Sequence, residues 1–277
     1  MSQNCDCNDF STLTAKTGIV TLLIANPTLD GTTGTIYTVL AGGTKGTVVK
    51  SIIIKSTTAV TAQGTIRFFV QSAACKALIY EVYVPVSPSS YNTPTPAPVS
   101  EFFVTYVPCN ILLQDGDVLV ATTQNAGSFN IFAEGLDIDY PSPLPDVCCN
   151  FKESFPNTGA GIISVANPQT DGTGPKVTIF TADNSNNGTL ITSLLISSLQ
   201  STSNGMVRLF ITPNGTDYYL FNEIRVLQTV LSSVQPSFQL RIPQQYNLQA
   251  GYAIAASTQN AEKFAIRYAG KTWKYGA

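Results

Sequence analysis

Histidine is absent from this sequence of 277 residues, so the side chains that could carry chemistry are carboxylates and thiols. Its absence excludes Ser–His–Asp and Cys–His nucleophilic catalysis and removes a common ligand of zinc enzymes. Glycosidase chemistry needs two carboxyl groups about 5 to 10 Å apart. No pair of acidic residues recurs in a pattern that would supply them, and the sequence therefore predicts no enzyme activity.

An internal repeat allows the remaining candidates to be judged. GTIRFFV at Gly64 recurs as GMVRLFI at Gly205, and ANPTLDGTTG at Ala25 recurs as ANPQTDGTGP at Ala166, in each case 141 residues later. TQNA at Thr123 recurs 135 residues later. A period this long indicates two copies of one module rather than a solenoid. A residue that one copy lacks does not belong to chemistry that both copies share.

Four aspartates lie in turns. Asp115 and Asp117 occur in LQDGDV, which reads LQAGYA in the second copy, so both carboxylates are lost there. Asp30 and Asp171 each precede glycine in the repeated NPxxDGT segment. A Ca²⁺ site with backbone and threonine oxygens is conceivable at this segment. A tight Asp–Gly turn is the interpretation we favour.

Two glutamates do recur in both copies, Glu81 in YEVYV and Glu223 in NEIRV. Each is a lone carboxylate with no second carboxyl in view. We expect Glu81 and Glu223 to pair across strands with Arg67 and Arg208, which the repeated GxxR segments supply.

The six cysteines include a close pair before each module. Cys148 falls at the repeat position of Cys7, so the two pairs are equivalent in the sequence. Four thiols could bind Zn²⁺ if the pairs met, but C-x-C and C-C are not the usual C-x₂-C spacing. We predict free or disulfide-linked cysteines and no metal or other cofactor. The possible thiol cluster comprises Cys5, Cys7, Cys148 and Cys149, and the two other cysteines are Cys75 and Cys109.

Short apolar segments separated by Gly, Asn and Asp turns predict an all-β protein almost without helix. We predict two tandem antiparallel β-sandwiches of jelly-roll type, each with eight strands. The predicted strands cover residues 19–25, 35–40, 48–55, 65–70, 78–84, 101–106, 118–123 and 129–133, and then 162–166, 177–181, 190–197, 206–211, 219–226, 237–241, 252–257 and 264–268.

These segments predict a leading arm (1–17), a first sandwich (18–140), a linker (141–158) and a second sandwich (159–277). The stretch from Pro85 to Val99 has five prolines in fifteen residues and cannot be a central strand. It predicts a long surface loop in a polyproline conformation, and it is the candidate partner-contact loop. Its candidate contact residues are Pro88, Tyr91, Pro94, Pro96 and Pro98.

Charged residues make up only 12% of the sequence, and the net charge is −2. A globular protein usually has about 25% charged residues. The low charge gives little self-repulsion between neighbouring molecules and favours packing against them. No basic run is present, so nucleic acid is not an expected partner. The first residues lack a basic leader and an apolar run, which predicts synthesis in a cytoplasm, without secretion and without membrane insertion.

The segments DGTG, GMVRLFI, NEIRV and LQAGYAIAASTQNAEKFAIRYAG resemble a β-sandwich module in virion proteins of tailed bacteriophages. The resemblance covers most of the second module and the first more loosely, and it carries no catalytic residue. It implies a structural component of a virus particle, and a head-associated position is the one we expect.

Two functions are compatible with these observations. The first is a non-enzymatic capsid decoration or auxiliary protein, which binds the major capsid protein or other virion proteins as a homo-oligomer or as lattice-bound copies. The alternative is a tail or head-fibre protein that binds a receptor or a glycan. Sugar binding would use exposed aromatic residues, and the candidates are Tyr91, Trp273 and Tyr275.

Overall fold

The computed structural model describes residues 12–28, 33–73, 76–86, 102–139, 152–182, 188–230 and 237–275. Sixteen strands lie in this part of the chain. None of these residues forms a helix, so this part contains no helix that could cross a membrane. The strands of the first module are β1 (Thr12–Leu22), β2 (Tyr37–Ala41), β3 (Thr47–Ser56), β4 (Gly64–Gln71), β5 (Lys76–Val84), β6 (Val104–Leu113), β7 (Val118–Thr123) and β8 (Phe129–Asp139). Those of the second are β9 (Lys152–Ile163), β10 (Val177–Thr181), β11 (Thr189–Ser198), β12 (Gly205–Thr212), β13 (Tyr219–Val226), β14 (Gln239–Leu248), β15 (Ala253–Thr258) and β16 (Phe264–Tyr275).

Each module consists of two four-stranded antiparallel sheets. In the first module one sheet has the order β1-β8-β3-β6 and the other β2-β7-β4-β5. The second module repeats this as β9-β16-β11-β14 and β10-β15-β12-β13. The chain therefore alternates between the sheets, except at the β4–β5 and β12–β13 hairpins, before it returns beside its own first strand, which is the double Greek-key path of a jelly roll. The prediction of two tandem jelly-roll sandwiches is confirmed.

The two cores are built from the alternating apolar positions of the repeated strands. In β4 the side chains of Ile66 and Phe68 are fully buried, and Val207 and Leu209 are buried at the equivalent places in β12. Even the irregularities are repeated, because the register of β3 shifts after Val49 and that of β11 shifts at the matching position. The repeat in the sequence is thus a repeat in backbone geometry.

Every predicted strand overlaps an observed strand, but the first, sixth and last strands of each module are longer than predicted. The sixth strands, β6 and β14, run on to Leu113 and Leu248, whereas the predicted segments end at residues 106 and 241. β1 begins at Thr12 and pairs with β8 as far as Asp139, and β9 begins at Lys152 and pairs with β16 as far as Tyr275. β1 and β9 therefore begin within the stretches assigned to the arm and the linker. Sequences such as KESFPNTGAG lack alternating apolar residues, which is why the pattern did not predict them as strands.

The repeated Asn-Pro segment folds into a loop that the asparagine organises. Asn167 is fully buried, and its Nδ2 donates to the carbonyl oxygens of Thr173 and Pro175 at 2.9 and 3.0 Å. Its Oδ1 accepts the backbone N–H of Gln169 at 3.0 Å. Asn26 makes the equivalent bonds in the first module. The loop lies against β12, all of whose residues are buried: the carbonyl oxygen of Asn167 accepts Arg208 Nη1 at 3.1 Å, and Lys176 lies over the ring of Phe210.

We expect Asn167→Ala to reduce the free energy of unfolding by about 2 kcal/mol, because it removes the three hydrogen bonds that this buried side chain makes to the backbone of the loop. Urea unfolding followed by circular dichroism measures this change. Asn214→Ala is the control, since this asparagine lies in an exposed turn. Equal effects of the two substitutions would show that the buried asparagine does not organise the loop.

Candidate functional site

Most of the site residues predicted from the sequence lie outside the described residues. This applies to the contact-loop residues Pro88, Tyr91, Pro94, Pro96 and Pro98 and to the thiol cluster Cys5, Cys7, Cys148 and Cys149. Asp30 and Cys75 are outside them as well. Trp273 and Tyr275 lie at the end of β16, and their side chains are outside what the structure describes. These assignments stay predictions.

The described aspartates act in turns. Asp171 Oδ1 accepts the N–H and the hydroxyl of Thr173 at 2.9 and 2.6 Å, and these bonds lower the pKa of its carboxyl. Asp117 Oδ2 accepts the N–H of Gln114 at 2.9 Å, across a turn in which Gly116 has a φ of 81°. No group of three or more potential metal ligands is present in the described part of the chain. The turn interpretation is confirmed for Asp171 and Asp117.

The recurring glutamates pair with the recurring arginines, as predicted. Arg67 Nε lies 2.7 Å from Glu81 Oε1, and Arg208 Nε lies 3.0 Å from Glu223 Oε1. The environments differ, because the side chain of Glu81 is 44% exposed and that of Glu223 is 1% exposed. The contact between the modules causes this difference.

The modules meet in an extensive interface, which is the most elaborate site in the described structure. The outer face of β1, β8 and β3 packs against β13 and β14 of the second module. Phe132, on that face, is 3% exposed and belongs to the second module's core, where it meets the ring of Phe221 edge to face at 5.4 Å. Ile19 and Ile53 pack against the same core. The two jelly rolls are therefore joined through apolar packing and not through a linker alone.

A buried ion triad crosses this interface. Lys55 Nζ of the first module lies 2.8 Å from Glu223 Oε2 of the second, and Glu223 also holds Arg208. The exposed fractions of these three side chains are at most 6%. Lys55 Nζ also donates to the carbonyl oxygen of Phe102 at 3.0 Å. One carboxylate thus neutralises cations from both modules, where water cannot replace it.

A second carboxylate, Glu134, is buried in the interface without an ion pair in the described structure. Its Oε2 accepts the backbone N–H of Asn247 at 2.8 Å, and Ser51 faces it from the neighbouring strand. Tyr246 lies beside Asn247 and is also buried. Burial raises the pKa of Glu134 to about 7, against the opposing effects of the Asn247 amide and Ser51. Burial and the nearby Glu134 also raise the pKa of Tyr246.

Further hydrogen bonds join the modules around this centre. Thr17 N donates to Gln249 Oε1 at 3.0 Å, and Asn130 Nδ2 donates to the carbonyl oxygen of Leu220 at 3.1 Å. Thr170 Oγ1 donates to the carbonyl oxygen of Thr57 at 2.8 Å. These polar contacts accompany the apolar packing of Phe132 against Phe221, a combination that is usual in protein–protein interfaces.

Cys109 is buried in the first core, and its thiol donates to the carbonyl oxygen of Val49 at 3.6 Å. Burial raises the pKa of this thiol to about 11, and Glu134 adds to the effect. Since the thiolate is the reactive form, the position is suited to packing rather than to redox chemistry.

We expect the folded protein to alkylate at Cys109 about 100-fold more slowly at pH 8 than the urea-unfolded protein, because burial raises the pKa of this thiol from 9.0 to about 11. A variant whose other five cysteines are serine gives the rate by mass spectrometry after iodoacetamide treatment. Equal rates in the folded and unfolded protein would contradict the prediction.

No family model matches the sequence, and no curated protein matches it. Among solved structures, the STIV MCP has 11% identity and a TM-score of 0.26, over 92% of this chain and 96% of that chain. The major capsid protein P2 of bacteriophage PM2 has 9% identity and a TM-score of 0.22, over 95% and 98%. The tandem CBM22-1–CBM22-2 domains of Paenibacillus barcinonensis Xyn10C have 11% identity and a TM-score of 0.24, over 96% and 94%. Similarity at this level does not bear on function.

Proposed function

We propose that this chain is a non-enzymatic structural protein of a virus particle, and specifically a head-associated decoration protein that stabilises a bacteriophage capsid. The observation that carries the proposal is the interface between the modules, because it joins two jelly rolls into one unit with broad sheet surfaces on the outside. Jelly rolls recur in viral capsids. The resemblance of the repeated segments to tailed-phage virion modules supports the same conclusion.

The described acidic residues support a structural role. The two glutamates that recur in both modules are tied to arginines, and Asp171 and Asp117 are tied to backbone amides. This arrangement favours binding through surfaces over turnover of a substrate. A decoration protein would stabilise a shell by burying area at each contact, multiplied by the symmetry of the lattice.

The position on the particle can be tested by copy number. Quantitative mass spectrometry of purified particles should find this chain in many copies relative to the portal and tail proteins, and gold-labelled antibodies should decorate the head. A few copies per particle, with label on the tail, would favour the receptor-binding alternative. Absence from purified particles would reject the virion proposal.

The proline-rich loop is the proposed contact with the shell. We expect a variant in which a Gly-Ser linker of equal length replaces residues 88–98 to bind shells more weakly and to keep the melting temperature of the unchanged protein. Binding is measured by co-sedimentation with shells that lack this chain. The same replacement of residues 228–235, in the shorter counterpart loop, is the matched control. Unfolding of the first module after the loop replacement would show that the loop belongs to the core.

A further inference from the structure

The interface between the modules uses one surface of each module, and the repeat provides a second copy of both surfaces. The first module contributes the outer face of β1, β8 and β3, and the second contributes the edge formed by β13 and β14. The second module has its own outer face on β9, β16 and β11, and the first module has its own edge at β5 and β6. Equivalent positions can therefore be compared when covered and when uncovered.

The outer face of the second module is uncovered where that of the first is buried. The sheet registers align Phe129 with Phe264 and thereby match the faces residue by residue. Three positions buried by the interface in the first module correspond to partly or fully exposed positions in the second: Thr17 to Thr158, Phe132 to Arg267 and Glu134 to Ala269. With Ala160, Leu195 and Arg241, these second-module residues line an open groove.

The edge of the first module shows the same contrast. Leu220 on β13, whose carbonyl oxygen accepts Asn130 of the first module, is fully buried, whereas its equivalent Leu78 on β5 is 44% exposed. Leu112, on β6 at the edge of the other sheet of this module, is 57% exposed. The β5–β6 edge of the first module, which we call the free edge, thus presents apolar side chains to solvent. The equivalent β13–β14 edge of the second module binds the sheet face of the first.

Among the described residues, the free edge has a glutamate and an arginine like those of the buried ion triad but no cation in the place of Lys55. Glu223 accepts Arg208 at Oε1 and Lys55 of the facing module at Oε2. Glu81 accepts Arg67 at Oε1, and the described residues provide no hydrogen bond to its Oε2. The carboxylate is therefore arranged to receive a cation from a second surface.

The outer face of the second module, formed by β9, β16 and β11, offers cations that could fill this place. Arg241 and Arg267 are exposed, and both lie beside Leu195 in one row across the sheet. The position equivalent to Lys55 is Ser197, two residues further along β11 and about 7 Å away at the rise of a strand. The long side chain of arginine can span this distance.

We propose that the β5–β6 edge of one copy of this chain docks on the outer face of β9, β16 and β11 of a second copy, with Glu81 directed at Arg241 and Arg267. The two surfaces differ, so the contact is heterologous, and repeated contacts form a closed ring or an open fibre. The inference goes beyond the proposed function and is independent of it, because the purified chain suffices to test it.

The first test changes the face. Arg241→Glu/Arg267→Glu places two carboxylates opposite Glu81, and we expect the dissociation constant for self-association to rise about tenfold or more. Analytical ultracentrifugation measures it. Arg225→Glu/Lys263→Glu is the matched control, because it makes the same change in charge at exposed positions of the same module outside the groove. Circular dichroism and thermal melting establish that both variants are folded.

The second test identifies the contact as edge to face. Leu78→Arg should block the edge while leaving the face intact, and the face variant keeps an intact edge. Each variant alone should remain monomeric, and an equimolar mixture should form a one-to-one dimer that grows no further, as seen by native mass spectrometry. A mixture that stays monomeric would overturn the proposal, as would an unchanged protein that is monomeric in concentrated solution. Absence of the chain from virus particles would leave this result unaffected.

Discussion

Replacing Glu223 with glutamine will reduce the free energy of unfolding by about 3–5 kcal/mol, whereas the same change at Glu81 will reduce it by less than about 1 kcal/mol. The two residues occupy equivalent positions and each pairs with the arginine of its own module. They differ in burial, with side chains 1% and 44% exposed. The pair therefore isolates the effect of the module interface on one carboxylate.

The physical reason lies in the two cations that Glu223 neutralises. Without its charge, Lys55 and Arg208 remain buried close together with no anion between them, and neither can be hydrated without opening the interface. A buried charge that loses its partner costs far more than an exposed pair gains. In the described structure Arg67 has one carboxylate partner, Glu81. The side chain of Arg67 is 5% exposed but that of Glu81 is 44% exposed, so water can solvate the pair from the Glu81 side once the charge is removed.

Urea unfolding followed by circular dichroism gives the two free energies. Hydrogen exchange shows which strands are destabilised, because Glu223→Gln should increase amide exchange in β3 and β13 before it affects β7. The double variant Lys55→Met/Glu223→Gln should recover part of the loss, since it removes the uncompensated lysine. A loss of the same size at Glu81 and Glu223 would contradict the role assigned to the triad.

The sequence was sufficient to predict the sandwiches because their cores follow a period of two. In segments such as GTIRFFV and GMVRLFI, alternate apolar side chains identify the buried face directly, and the repeat doubles the observation. The Arg–Glu pairs were also predictable, because each arginine and its glutamate recur together on neighbouring strands. The place of Lys55 in the ion triad was not predictable, since nothing in the local sequence connects it to Glu223, which lies 168 residues away.

The interface left a weaker signal in the sequence, which is visible only when the two copies are compared. SIIIK in β3 and FNIFA in β8 carry apolar residues on both faces, including Ile53 and Phe132. The repeat of FNIFA is FAIRY, where Arg267 replaces Phe132. A strand that is apolar on both faces in one copy and on one face in the other indicates that only the first is covered twice. The contact-loop and thiol residues offer no such comparison, because they lie outside the described residues.

Acidification from pH 8 to pH 5 will strengthen the contact between the modules through Glu134, and Glu134→Gln will remove this dependence. The pKa of this carboxyl is raised by burial from 4.5 to about 7 in the folded protein. Between these values the folded chain holds a proton that the unfolded chain has lost, so stability increases as the pH falls from about 7 to about 4.5. Above pH 7 the charged carboxylate is buried without a cation in the described structure, and this stabilisation is lost.

The rise in the pKa of Glu134 corresponds to a change of about 3 kcal/mol in the free energy of unfolding between pH 4.5 and pH 7. Glutamine is neutral at every pH and can still accept the N–H of Asn247, so Glu134→Gln should be more stable than the unchanged protein at pH 8 by up to that amount. At pH 5 the two proteins should be similar. Urea unfolding of both at several pH values gives the difference curve, in which the titration of all other groups cancels. A difference that does not vary with pH would show that Glu134 is charged in the folded interface at pH 5 as well as at pH 8.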